Sequence, residues 1–102
     1  MRASSRAKRS NRKPSWDDPN RRLLFGGEVI REFRREAPGQ MAVLAAFQKA
    51  GWPPRLDVGG LIPPGGKGKR WIRNTVKNLN RSLRGIHFHA DAGNHAIGWG
   101  LV

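Results

Sequence analysis

The stretch KGKRWIRNTVKNLNRSLRG, residues 67–85, decides how the rest of the chain is read. At about 100° per residue, Ile72, Val76, Leu79 and Leu83 fall on one narrow apolar stripe, so the spacing predicts an amphipathic helix that docks on a core. Arg70, Asn74, Lys77, Arg81 and Arg84 fall on the opposite face, with Arg73 and Asn78 on its flanks and no acid anywhere in the stretch. Such a face attracts anions. Arg and Asn can bond guanine and adenine edges through paired hydrogen bonds, and Lys neutralises phosphate as a point charge. A solvated basic face with no ligand has the same pattern, so the remainder of the chain has to weigh between the two.

The composition leans toward a polyanionic partner. Twenty Lys and Arg stand against seven Asp and Glu in 102 residues, a formal charge of +13. That excess is hard to reconcile with an enzyme of small neutral substrates. Length permits one domain with a single modest core. There is no cysteine, so neither a disulfide framework nor a thiolate zinc site is available. No apolar run approaches the roughly 20 residues of a membrane span, and the basic N-terminus lacks the apolar segment of a signal peptide. The expectation is a cytoplasmic, nucleoid-associated protein with no membrane partner.

Residues 1–15 read as a disordered basic arm and residues 16–102 as the folded domain. The sequence MRASSRAKRSNRKP carries six basic residues and, after Met1, no aliphatic larger than alanine, too little to offset the entropy of folding. An arm of this kind raises affinity for phosphates without specifying sequence; a solubilising tail is the other reading. From Trp16 the chain becomes foldable. Gly26-Gly27 between RLLF and EVIREF predicts a β-hairpin that sets Leu24 opposite Val29 and Leu23 opposite Ile30, with Trp16 covering one end. Asp17-Asp18-Pro19-Asn20 is turn chemistry rather than a metal site.

QMAVLAAFQKAG, residues 40–51, spaces Met41, Leu44 and Phe47 as a core helix and ends on Gly51 as its C-cap, before Trp52-Pro53-Pro54 forbids continuation. Residues 55–66, RLDVGGLIPPGG, read as a short helical turn or extended connector packed over the helices. After Gly85 the period becomes two. Ile86, Phe88 and Ala90 point one way and His87 and His89 the other; residues 91–94 form a turn, and Ile97 and Trp99 return as the apolar pair. The expected core is Leu24, Val29, Phe33, Leu44, Phe47, Ile72, Val76, Leu79, Leu83, Phe88, Ile97 and Trp99.

Hairpin, core helix, short connector, basic helix and terminal hairpin, in that order, make an α+β winged helix-turn-helix. In that fold the helix before the last hairpin enters the major groove and the hairpin forms the wing. The arrangement resembles the effector domains of response-regulator transcription factors, which place a small antiparallel sheet ahead of the helices. The parallels are Leu44 and Phe47, then Ile72, Val76, Leu79, Asn80 and Arg81, then Gly93, Ile97 and Trp99. It is also similar to a set of small uncharacterised bacterial domains, many from planctomycetes, with a Trp-Asp start, a phrase like "LxAFxxxGWPPRID", a helix ending in "LNR" and a "FxxDGxGxxxxW" tail. Here these are Trp16-Asp17; Leu44, Ala46-Phe47 and residues 51–57; Leu79-Asn80-Arg81; and Phe88, Asp91, Gly93 and Trp99. Residues 59–68 and His87 and His89 depart from that pattern. The resemblance implies a winged-helix fold and assigns no biological role.

The expected function is sequence-specific binding of double-stranded DNA, as a small transcriptional regulator or the DNA-binding part of a mobile-element protein. Lys67, Lys69, Arg70, Arg73, Asn74, Lys77, Arg81 and Arg84 are the expected DNA contacts, with Lys67, Lys69 and Arg84 on phosphates. His87, His89 and Asn94 belong to the wing. A structured-RNA or ribosome-associated binder, or a protein-interaction winged helix that meets an acidic partner, is served by the same charge. Residues 65–69 lack the spacing of a nucleotide P-loop, with Arg70 where Ser or Thr would stand, and read as a DNA-backbone contact. Trp71, about 100° off the apolar stripe, is a candidate for stacking on an unpaired base; Trp52 and Trp99 read as core. His87, His89 and His95 lack a fourth ligand unless Asp91 joins, so no metal is expected. No catalytic set and no cofactor motif is present, and the chain reads as a binding module rather than an enzyme.

Overall fold

The computed structural model describes residues 13–65 and 67–102. The expected arm lies in residues 1–12, outside the described residues, apart from its last three positions; the first strand opens at Ser15, one residue ahead of the expected boundary. The described chain is a small mixed α+β arrangement of two helices and two three-stranded antiparallel sheets.

The first sheet is a meander of β1 (Ser15–Asp17), β2 (Arg22–Phe25) and β3 (Glu28–Glu32), in that order. It is one strand larger than the expected hairpin, because Trp16 does not cover the sheet but belongs to it, paired with Leu23. The Asp17-Asp18-Pro19-Asn20 segment is the turn between β1 and β2. Asp17 accepts from the Asn20 side-chain amide at 2.8 Å and Arg21 closes the turn at positive φ. Gly26 and Gly27, at φ 62° and 83°, supply the two left-handed residues that a primed hairpin turn requires. Leu24 faces Val29 as expected, but Leu23 pairs with Arg31 rather than Ile30. A bulge between Leu23 and Leu24 makes the difference, and it lets both Leu23 and Ile30 be buried while Val29 stays 36% exposed.

Helix α1 (Pro38–Ala50) begins two residues before the expected start, with Pro38 in the first turn, where its missing N–H costs nothing. Its end is a Schellman motif. Gly51 sits at φ 84° and donates to the Gln48 carbonyl, and Trp52 donates to the Phe47 carbonyl at 2.8 Å. The hydrophobic contact that accompanies such caps is an aromatic stack, Phe47 on Trp52 at 5.0 Å and 17°. Gln48 then ties this corner to the first sheet, its Oε1 accepting from Trp16 N at 2.8 Å and Trp52 Nε1 at 2.9 Å.

The connector is more structured than expected. It holds strand β4 (Arg55–Asp57) and a single 3-10 turn, Gly59–Leu61. Strand β4 pairs with β6 (Ala96–Leu101), which pairs in turn with β5 (Ile86–Asp91), giving the sheet order β4-β6-β5. A three-residue strand among Gly and Pro carries no period of its own, and its partner lies some 40 residues away, so sequence pattern alone does not show it.

Helix α2 (Gly68–Leu79) stops well short of Gly85. Ser82, at φ 58°, breaks the path, and Leu83 reaches the core half-buried from a loop rather than from a fourth helical turn. Arg81 and Arg84 therefore lie beyond the helix, not on its face. One core joins both sheets and both helices; Phe47, Phe88, Leu23, Leu44, Ile72, Leu79, Ile86 and Ile97 are its largest fully buried members. Of the expected core, Val29 is exposed, and Leu24 and Trp99 are half-buried. Trp16, Val43 and Val58 join it instead, and Trp52 is buried as expected.

Candidate functional site

Helix α2 is two-sided. Ile72, Thr75, Val76 and Leu79 are buried, while Lys69, Arg70, Arg73, Asn74 and Lys77 are exposed and share an arc of about 140° at helical pitch. Thr75 on the buried side had no place in the apolar stripe. No acid stands in the first turn, and the N-cap position is Lys67, whose side chain makes no cap bond. The ion pairs among the described residues are Arg22–Glu32 at 3.3 Å and Arg55–Asp91 at 2.6 Å, neither of which draws on α2. Five polar side chains thus face solvent with their donors unspent. The backbone amides of the first turn, which have no partner within the helix, open at the same end as Lys67, Lys69 and Arg70.

Two clamps fix the other end of α2. Arg31, on β3, donates from Nη1 to the carbonyls of Asn78, Leu79 and Arg81 at 2.7, 2.9 and 2.8 Å, and its guanidinium lies 4.4 Å from the Phe33 ring centroid. It serves as a C-cap supplied from another element, a cation on the negative end of the helix. Burial, with Arg81 alongside, draws its pKa below the ordinary arginine value. Asn80 is the second clamp: its Oδ1 accepts from the Phe88 amide at 2.7 Å and its Nδ2 donates to the Phe88 carbonyl at 2.9 Å. Sequence reasoning gave Arg31 no role, because its partners lie 47 to 50 positions away.

The start of α2 is held by a close approach. A Cβ at Gly68 would come within 2.9 Å of His95 Nε2 and 3.1 Å of Ile62 Cδ1, so only glycine lets the imidazole lean on the helix there. His95 is thereby separated from the other two histidines. His87 and His89 project from β5 on the face opposite Phe88, their ring centroids 6.1 Å apart, and the His89 ring lies over Gly98 of β6. Neither stands at the hairpin tip. That tip is the 3-10 turn Ala92–Asn94, where Ala92 is buried and Asn94 donates to both Asp91 carboxylate oxygens at 3.2 Å. No group of three potential metal ligands occurs among the described residues.

Trp71 packs its ring against Gly39 of α1, whose position for a Cβ is 3.4 Å from Trp71 Cζ2. Trp99 is likewise engaged, donating from Nε1 to the Pro53 carbonyl at 2.9 Å. Gly66, within the anion-binding loop expected at residues 65–69, lies outside the described residues. Among the described residues no helix is long and apolar enough to cross a membrane. Compared with protein-family models, curated proteins and solved structures, the chain has no significant match in any of the three.

Proposed function

We propose that this chain is a winged-helix protein that binds double-stranded DNA with sequence preference, α2 lying in the major groove. The observation that carries the reading is the uniform exposed face of Lys69, Arg70, Arg73, Asn74 and Lys77, unopposed by any acid and mounted on a helix fixed at both ends. Groove readout needs such rigidity, since paired hydrogen bonds to a base edge tolerate little angular error. Connectivity supports the same reading. A strand between the two helices pairs with the last strand of the terminal hairpin, as in winged helices, and a three-stranded meander precedes them. The single 3-10 turn Gly59–Leu61 takes the place of that fold's middle helix. Asn94 is the wing residue nearest the tip; His87 and His89 lie along a strand and are assigned to flanking contacts rather than to the tip. Arg81, off the helix, is taken out of the groove, and Arg84, also off it, stays a phosphate contact. A DNA partner carries with it a cytoplasmic, nucleoid-associated setting and a role in regulation or in a mobile element.

Fluorescence anisotropy of the full chain with a mixed-sequence duplex and an RNA hairpin, at several salt concentrations, tests the reading. Duplex should outcompete the hairpin at matched salt. The double variant Lys69→Ala/Lys77→Ala should flatten the slope of log K against log salt by about 1.8, as each phosphate contact contributes about 0.9. A preference for the hairpin would replace duplex DNA with structured RNA, and an unchanged slope would take binding off α2 altogether.

A further inference from the structure

At the C-terminal end of α2, away from the face just described, a cleft of about 400 Å³ opens between β3 and the turn that follows the helix. That volume is at the lower end of the range typical of small-ligand sites, about 300 to 1,000 Å³. Val29, Arg31 and Glu32 of β3 and Arg81, Ser82 and Arg84 of the turn line it. The charges do not balance. Three guanidinium groups meet one carboxylate, and that carboxylate, Glu32, is held by Arg22 at 3.3 Å.

The three arginines are not equivalent. Arg31 spends its Nη1 donors on the carbonyls of α2 and reaches Gln40 with Nη2, so it contributes charge more than free donors. Arg84 makes one long contact, Nη2 to the Val29 carbonyl at 3.5 Å, and the side chain of Arg81 makes none. Both are exposed. Ser82 sits between them at φ 58°, its hydroxyl unpaired and exposed, in a turn anchored by the Arg31 bond to Arg81 O and by the Leu83 amide on Asn80 O at 3.2 Å. Two forked cations and a hydroxyl around one cleft offer more donors than a carboxylate has oxygens and suit the several oxygens of a phosphate. The repulsion of Arg31 by Arg81, which helps lower the Arg31 pKa, is the strain an anion between them would relieve.

We propose that this cleft is a phosphate-binding site, in which Arg81 and Arg84 grip a phosphate group and the Ser82 hydroxyl donates to a third oxygen. The phosphate belongs either to a nucleic-acid backbone continuing past α2 or to a small phosphorylated molecule. The site does not depend on what the face of α2 binds, and the test keeps the two separate. The full chain, labelled with nitrogen-15, is titrated with inorganic phosphate while the arginine Nε–Hε and Ser82 amide resonances are followed, with sodium acetate as the control anion. In parallel, duplex binding is measured against salt for the wild type, for Arg81→Gln/Arg84→Gln, and for the α2 variant Arg73→Gln/Lys77→Gln. Gln removes the charge and keeps a polar side chain at these exposed positions, and the amide spectrum of each variant reports that it is folded.

The expected result is a saturable shift of Arg81, Ser82 and Arg84 with phosphate and not with acetate, lost in Arg81→Gln/Arg84→Gln and kept in Arg73→Gln/Lys77→Gln. If the cleft serves the backbone, Arg81→Gln/Arg84→Gln also lowers the duplex salt slope by about 0.9, the value for one phosphate. Phosphate binding with an unchanged slope assigns the site to a small phosphorylated ligand. Failure of α2 to bind duplex leaves the phosphate titration intact as a test. Absence of a saturable shift together with an unchanged slope overturns the proposal, as does phosphate binding that survives Arg81→Gln/Arg84→Gln.

Discussion

Arg31 Nη1 donates to the Asn78 carbonyl at 2.7 Å, a bond that joins the first sheet to the last turn of the basic helix across 47 positions of sequence. With its bonds to Leu79 O and Arg81 O, it ends α2 where it does: the last carbonyls find a cation on β3 and need no further helical turn. Replacing Arg31 by Met keeps an unbranched apolar side chain and removes every donor together with the cation over Phe33. The expected loss is about 1.5 to 3 kcal/mol in urea unfolding, the range for hydrogen bonds to a charged group. Arg31→Lys should recover less than half of it, because one ammonium cannot span three carbonyls and reach Gln40 as well. Wild-type stability for Arg31→Met would mean that water serves these carbonyls equally well.

Asn80 makes the complementary prediction from the other side of the same turn. Asn80→Ala leaves the N–H and C=O of Phe88, a residue only 2% exposed, without their partners, and should cost about 1 to 3 kcal/mol. Asn80→Asp should do no better. It keeps an acceptor for the Phe88 amide but turns a carboxylate oxygen toward the Phe88 carbonyl. Hydrogen exchange at the Phe88 amide locates the effect: faster exchange there, with the rest of β5 and β6 still protected, separates loss of this clamp from general unfolding.

What the sequence made legible follows its local signals. The Gly26-Gly27 turn, the Gly51 cap and the alternation of Ile86 to His89 each rest on residues within a few positions of one another and are where they were expected, while Ala90 is exposed. The buried and exposed faces of α2 are legible for the same reason. Several of the misses are non-local. Strand β4 exists through its pairing with β6, the α2 terminus depends on Arg31 and Phe88, and Trp16 is placed by Leu23 and Gln48. The miss at Leu83 is local instead: Leu83 keeps the helical spacing while the backbone has already turned at Ser82. The three histidines do not converge across the hairpin, because the left-handed residue His95, at φ 51°, turns toward Gly68.

Gly39 gives a prediction of opposite sign. It lies in the first turn of α1 beneath the Trp71 ring, and a Cβ there would stand 3.4 Å from Cζ2, an ordinary van der Waals contact. Gly39→Ala should therefore stabilise the fold by about 0.5 kcal/mol, through reduced freedom of the unfolded chain and added contact between α1 and α2. Thermal unfolding measures it. A lower midpoint would show that Trp71 has no room to yield, which would make the helix crossing tighter than the distance implies.

The exposed face of α2 separates residues that read bases from residues that hold backbone. Arg73 and Asn74 are exposed neighbours, and both carry groups suited to paired bonds on a base edge; Lys69 and Lys77 carry point charges. Against a selected target duplex, Arg73→Ala or Asn74→Ala should cost about 1 to 3 kcal/mol and relax preference at one base pair while leaving other positions as they were. Lys69→Ala or Lys77→Ala should weaken all sequences alike and reduce the salt slope by about 0.9 each. Binding-site selection on randomised duplexes, run for wild type and the four variants, distinguishes the two patterns. Uniform losses for Arg73 and Asn74 would make the whole face a phosphate surface, and the sequence preference would then have to come from the bending or groove width of the DNA rather than from its base edges.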